Sequence, residues 1–172
     1  ELLKGLGVQV QKIADNEYLF QAKDVNLDFL QTREYYKKAT SIRGSVMLIG
    51  PMLARFGKGF LPQPGGDKIG RRRLDTHFLG LQKLGTKFTY DEDEKSYQIN
   101  APELKGNYML LEEASVTGTA NIVMAATLAK GKTTIFNAAC EPYLVQLCKM
   151  LNKMGAKISG IGSNLLTIEG VE

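Results

Sequence analysis

The sequence has no tryptophan, one histidine, two cysteines and five prolines in 172 residues. Each shortage closes off a class of function. A lone histidine and two cysteines leave no zinc-type ligand set. Cys140 and Cys148 form no framework of the kind that staples small secreted domains, so both are expected as reduced thiols. No apolar run reaches the roughly 18 to 20 residues of a membrane span, and the start of the chain has no signal-peptide layout. Charge of one sign is scarce too. Twenty-two Lys+Arg against 18 Asp+Glu give a formal net charge of +4, with bases and acids interspersed except at Arg71, Arg72 and Arg73. This balance favours a local anion site over a broad nucleic-acid surface. The expectation is a cytoplasmic protein with no cofactor, no metal, and neither a membrane nor a nucleic-acid partner.

What is present is an ordinary globular composition, 44% hydrophobic and 23% charged, long enough for one domain or a little more. A repeat organises it. Gly7, Gly85 and Gly155 each end a helical pattern and precede two alternating strands, over residues 8–22, 87–99 and 157–168. Upstream parts match as well. Residues 45–56 and 119–130 read as helices apolar around most of their circumference, the first bent by Gly50 and Pro51, and each runs into a glycine-lysine turn and a short strand. Each unit then reads β-α-β-α-β-β, with helices inside and sheets outside. The units fall at 1–40 (partial), 41–100 and 101–172 of a single truncated α/β domain. Two units are complete, and the chain opens inside the second helix of the first, so it is expected to be a piece of a longer protein. Residues 24–40 do not fit the template; residues 34–38 read as a short polar helix or connector. Met47, Met52, Met124, Met150 and Met154 lie in apolar helical stretches and are expected in the core.

Reactive side chains concentrate in residues 64–77, which hold Gly65, Gly66, Gly70, the arginine triplet, Asp67, Asp75 and His77. Glycines permit close backbone approach to a ligand, and arginine forks suit phosphate or carboxylate oxygens. The composition alone leaves open an anion-wrapping loop or a solvated basic turn. Arg43 stands before the first buried helix and Ser115 to Thr119 open the second; both are places where unpaired N–H groups attract anions, although plain capping explains the same letters. Glu141 and Pro142 are good helix-start chemistry, and His77 is expected as a packing or surface residue.

The combination of Ser41, Ile42, Arg43 and Gly44, Gly50 with Pro51, Pro64 to Gly66, Ile69 with Gly70, Arg72, Asp75, His77, Ser115 with Val116, and Glu141 with Pro142 resembles the UDP-N-acetylglucosamine 1-carboxyvinyltransferase family. These are the enolpyruvyl transferases of peptidoglycan synthesis, and the loop's wording resembles their Bacteroidetes branch. The similarity covers residues 6–172. It implies an inside-out α/β barrel domain built of β-α-β-α-β-β repeats, a second domain in the same polypeptide, and the substrates UDP-N-acetylglucosamine and phosphoenolpyruvate.

Carried over by position, the resemblance implies that Asp67 is the proton donor, where most members have cysteine. It further implies escape from fosfomycin, which alkylates that thiol. An aspartate donates a proton near neutral pH only if its pKa is raised, and the neighbouring arginines push it down. Arg43 is implied to contact the nucleotide sugar, and Arg72 to meet both substrates. Arg73, Leu74, Asp75 and Thr76 would cradle the uridine, with Arg73 replacing a frequent proline. Glu113, Ala114, Ser115 and Val116 would face the diphosphate, with Glu113 replacing a frequent lysine. The resemblance also implies that these 172 residues alone are inactive. The alternatives are a related enolpyruvyl transferase of aromatic biosynthesis, an RNA-end cyclase of the same repeat, or a non-catalytic nucleic-acid binding module built on the arginine triplet.

Overall fold

In chain order, the computed structural model, which describes residues 1–65 and 73–171, starts with α1 (Leu2–Gly5) and a hairpin of β1 (Gln9–Ala14) and β2 (Glu17–Gln21). A 3-10 turn (Leu27–Gln31) leads to α2 (Arg33–Ser41), whose first turn is capped by Thr32 Oγ1 accepting from the Tyr35 N–H at 3.1 Å. A second 3-10 turn (Arg43–Leu48) then runs into α3 (Ile49–Phe56) and β3 (Lys58–Pro62). After it come α4 (Asp75–Lys83), β4 (Lys87–Asp91) and β5 (Ser96–Asn100). The last part holds β6 (Tyr108–Leu110), α5 (Val116–Ala126), β7 (Lys132–Phe136), α6 (Pro142–Lys153), β8 (Lys157–Ser159) and β9 (Leu165–Glu169). Gly7, Gly85 and Gly155 have φ of 83°, 101° and 108°. That left-handed backbone costs glycine nothing, which is why each repeat turns there.

The strands form β1-β2, β3-β5-β4 and β6-β7-β9-β8 sheets. In the last two, the strand after the inner helix (β3 or β7) lies antiparallel to the final strand of its hairpin. The fourth strand, β6, joins β7 in parallel. Residues 101–172 therefore carry all six expected elements. Residues 41–100 do not: among the described residues no strand precedes the helix, which corrects the expectation of two complete units. The reason lies at the edge of β3. There the Tyr35 hydroxyl from α2 donates to the Phe60 carbonyl at 2.9 Å, so a helix occupies the side where β6 stands in the other sheet. Burial pushes the Tyr35 pKa up, which keeps that hydroxyl protonated as a donor.

Helices sit inside and sheets outside. Leu53, Leu81 and Ile122 from α3, α4 and α5 are at most 1% exposed and share one core with Ile99, Ile135 and Leu166 of the sheets. Burying each such side chain stabilises the fold by roughly 1.5–3 kcal/mol. Helix α5 is central, with eight of its eleven residues buried. Its neighbours approach closely through glycines: Gly50 of α3 faces the Asn121 carbonyl, Gly80 of α4 faces Ile122, and Gly118 of α5 faces Thr76.

Three helix expectations change. The 45–56 stretch is a 3-10 turn followed by α3, and Pro51 fits the first turn of α3, where no intrahelical N–H bond is needed. Helix α5 starts earlier than residue 119 because Ser115 Oγ caps it, accepting from the Gly118 N–H at 3.2 Å. It also ends earlier, at Ala126 rather than residue 130. Met150 and Met154 are 51% and 75% exposed, not core, because α6 buries only the face that carries Leu144 and Cys148.

A polar network lies between the inner helices. The Gly50 N–H donates to Asn121 Oδ1 at 2.9 Å, and Asn121 Nδ2 donates to the Val46 carbonyl at 2.9 Å and to His77 Nδ1 at 2.8 Å. His77 Nε2 lies 3.1 Å from Thr117 Oγ1. His77 is 2% exposed, and burial together with the charge of Arg43 lowers its pKa from 6.5 to about 4. The lone histidine is therefore a buried, neutral bridge.

Two outcomes are expected. Gly50→Ala places a Cβ 2.5 Å from a backbone oxygen of α5. The better helix propensity of alanine, about 1 kcal/mol, does not offset that overlap, so urea denaturation should show a net loss of about 1–3 kcal/mol. For His77, the unfolded chain takes up its proton near pH 6.5 and the folded chain only near 4. The stability it contributes is full above 6.5 and is lost as pH falls through 4, by on the order of 3 kcal/mol. A denaturation series across pH 7.5 to 3.5 should show that loss, and His77→Gln should flatten it.

Candidate functional site

Where the 3-10 turn of Arg43 meets the start of α5, Arg43, Gly44, Val46, Met47, Arg73, Glu113, Ser115 and Thr117 line a cleft of about 590 Å³. Arg43 is the first residue of its turn, and its Nη2 donates to the Arg73 carbonyl at 3.2 Å. That bond ties the turn that leads into α3 to the segment that leads into α4. Arg73 Nε in turn forms an ion pair with Asp75, in the first turn of α4. On the other wall, the Thr76 hydroxyl donates to Glu113 Oε1 at 3.2 Å, joining α4 to the segment that enters α5. Val46 and Met47 supply the apolar side.

The electrostatics suit an anion. Two guanidinium groups flank the N-terminus of an eleven-residue helix, whose partial positive charge adds to theirs. The acid on this rim, Glu113, is engaged by Thr76, and Asp75 by Arg73. His77 lies beneath and stays uncharged, partly because Arg43 would repel an imidazolium.

Of the residues singled out from the sequence, Arg43, Arg73, Glu113 and Ser115 line this one cleft. Thr76 and Asp75 touch it through Glu113 and Arg73. Leu74 and Val116 are partly buried and pack against the core beside the cleft residues Arg73 and Ser115. Ala114 is exposed between Glu113 and Ser115. Asp67 and Arg72 lie outside the described residues. Thr117, expected only as part of the helix start at Ser115 to Thr119, and Met47, expected in the core, both line the cleft; Val46 joins it without a sequence signal, and so does the support given by Asn121. One signal was available: Thr117 and Asn121 are four apart and so share a helix face. What that face meets is 40 residues away, which no local pattern gives.

The chain is 68% identical over all 172 residues to the UDP-N-acetylglucosamine 1-carboxyvinyltransferase of Bacteroides fragilis. It is 58% identical to the enzyme of that name from Porphyromonas gingivalis, and in both cases it spans 40% of the relative's length. Among solved structures, the enolpyruvyl transferase NikO from Streptomyces tendae superposes with a TM-score of 0.77 at 15% identity, covering 99% of this chain and 39% of that one. An EPSP synthase from Acinetobacter baumannii gives 0.69 at 17%, covering 99% and 38%. At such identities the likeness concerns the fold, which is the α/β enolpyruvyl transferase fold. The EPSP synthase (3-phosphoshikimate 1-carboxyvinyltransferase) family matches residues 1–172 from end to end, and the chain belongs to that family.

Proposed function

We propose that the full-length protein transfers the enolpyruvyl group of phosphoenolpyruvate to the 3-hydroxyl of UDP-N-acetylglucosamine, in the cytoplasm, as a step of peptidoglycan synthesis and so of cell shape and division. The observation that carries this reading is the single cleft that joins Arg43, Arg73 and Ser115 at the start of α5. The identity of 68% to an enzyme of that name in Bacteroides fragilis supports the choice of nucleotide sugar over other acceptors.

The chemistry asks for positive charge and one acid. Protonation of the methylene carbon makes C2 of phosphoenolpyruvate electrophilic, the sugar oxygen adds there, and phosphate then leaves the tetrahedral adduct as the methyl group gives up a proton. Guanidinium groups offset the phosphate and carboxylate charges throughout. In this reading Arg43 and Arg73, with the backbone of Glu113 to Val116, hold the nucleotide diphosphate, and Arg73 to Thr76 hold the uridine. Arg72 spans both substrates and Asp67 supplies the proton, a role that requires its carboxyl pKa to be raised. The second domain would supply the rest of the site, so residues 1–172 alone are expected to lack turnover. A nucleic-acid module is not favoured, because bases away from the cleft are answered locally: Lys105 and Lys130 by Glu103, Lys12 by Asp15 and Lys38 by Glu34.

Two measurements on the full-length enzyme test the reading. Arg43→Ala should weaken UDP-N-acetylglucosamine binding in calorimetry by about tenfold or more, the value of one charge-assisted contact. Asp67→Asn should remove most turnover, whereas Asp67→Cys should keep turnover and gain sensitivity to fosfomycin. Full activity in Asp67→Asn would show that the proton comes from elsewhere.

A further inference from the structure

We propose that the Thr117 hydroxyl donates a hydrogen bond to a phosphate oxygen of the ligand in the cleft, and that His77 is the positioning residue that aims it. The inference rests on reading the cleft as the nucleotide-sugar site and adds a side-chain contact to it.

The proton positions follow from Asn121. Because the Gly50 N–H donates to Asn121 Oδ1, the amide can face only one way, with Nδ2 toward the Val46 carbonyl and His77 Nδ1. Its two hydrogens serve those two acceptors. Nδ1 must therefore accept, and a neutral imidazole then carries its proton on Nε2. The opposite tautomer would leave two buried donors facing each other 2.8 Å apart. Nε2–H in turn points at Thr117 Oγ1, 3.1 Å away. Oγ1 receives a hydrogen there, so the threonine's own O–H hydrogen is directed elsewhere. Thr117 is exposed and lines the cleft with Arg43 and Arg73, so elsewhere is the cleft.

The result is a donor rather than an acceptor at the second residue of α5. A hydroxyl that is already accepting a hydrogen bond is polarised to donate more strongly. Next to two guanidinium groups and a helix N-terminus, the partner this donor fits is an anionic oxygen, and phosphate oxygens are acceptors only. The arrangement also accounts for the neutral, buried histidine: an imidazolium would add a second hydrogen at Nδ1, against Asn121, and sit beside the charge of Arg43.

The test uses the full-length enzyme with UDP-N-acetylglucosamine and UDP as ligands. Thr117→Val keeps the shape and removes the hydroxyl; it should raise Kd for both ligands about tenfold, and raise KM for the sugar nucleotide while kcat changes less than about twofold. Thr117→Ser should restore binding to within about threefold of wild type. His77→Phe should raise Kd in the wild-type background and add nothing in Thr117→Val, because its effect runs through the hydroxyl; His77→Gln, which keeps an N–H donor, should recover much of the loss. Unchanged UDP affinity in Thr117→Val overturns the proposal. If His77→Phe does not fold, the imidazole ¹⁵N shifts decide, and a ring protonated on Nδ1 overturns it equally. Failure of the wild-type enzyme to bind UDP-N-acetylglucosamine would instead sink the reading of the cleft on which it rests.

Discussion

One carboxamide holds the inner helices in register. Asn121 of α5 accepts from α3 at Gly50 and donates to the Val46 carbonyl of the 3-10 turn and to His77 of α4. All of its bonds are buried, and a group left without its partner in such surroundings costs about 1–3 kcal/mol. The cleft inherits its shape from this residue. Arg43 heads the turn that contains Val46, Arg73 precedes the helix that contains His77, and Ser115 and Thr117 begin the helix that contains Asn121 itself.

An asparagine can do this only because the helices are thin. With Gly50, Gly80 and Gly118 at the crossings, backbones approach closely enough for one short side chain to reach three elements. Bulkier residues would fill the interior by packing alone and push the helices apart. The sheets close the core from outside with apolar side chains such as Ile99, Ile135 and Leu166. Helices at the centre and sheets at the periphery invert the usual layering of an α/β protein. The same inversion brings the N-termini of interior helices to a common surface, where the cleft opens.

Much of this was legible because it is written locally. Gly7, Gly85 and Gly155 mark helix ends by backbone conformation alone, and the alternation after each gives the hairpins. Arg43 and Ser115 stand out because each precedes an apolar helix, so a donor-rich helix start could be inferred without knowing its surroundings. Long-range features were not legible. The helix beside β3 depends on Tyr35 reaching Phe60, and the role of His77 depends on Thr117 and Asn121 forty and more residues downstream. Met150 and Met154 show the opposite error, an apolar run taken for a buried one although only one side of α6 meets the core. Asp67 and Arg72 rest on family likeness, since both lie outside the described residues.

The start of the glycine-rich segment has its own footing. Gly65 lies so close to the carbonyl oxygen of Thr40 that no Cβ fits between them, and Thr40 lies in the last turn of α2, three positions before Arg43. The segment that follows β3 and the helix that precedes Arg43 therefore meet at one point. A side chain at position 65 would therefore have to displace the last turn of α2, and with it the turn that Arg43 heads.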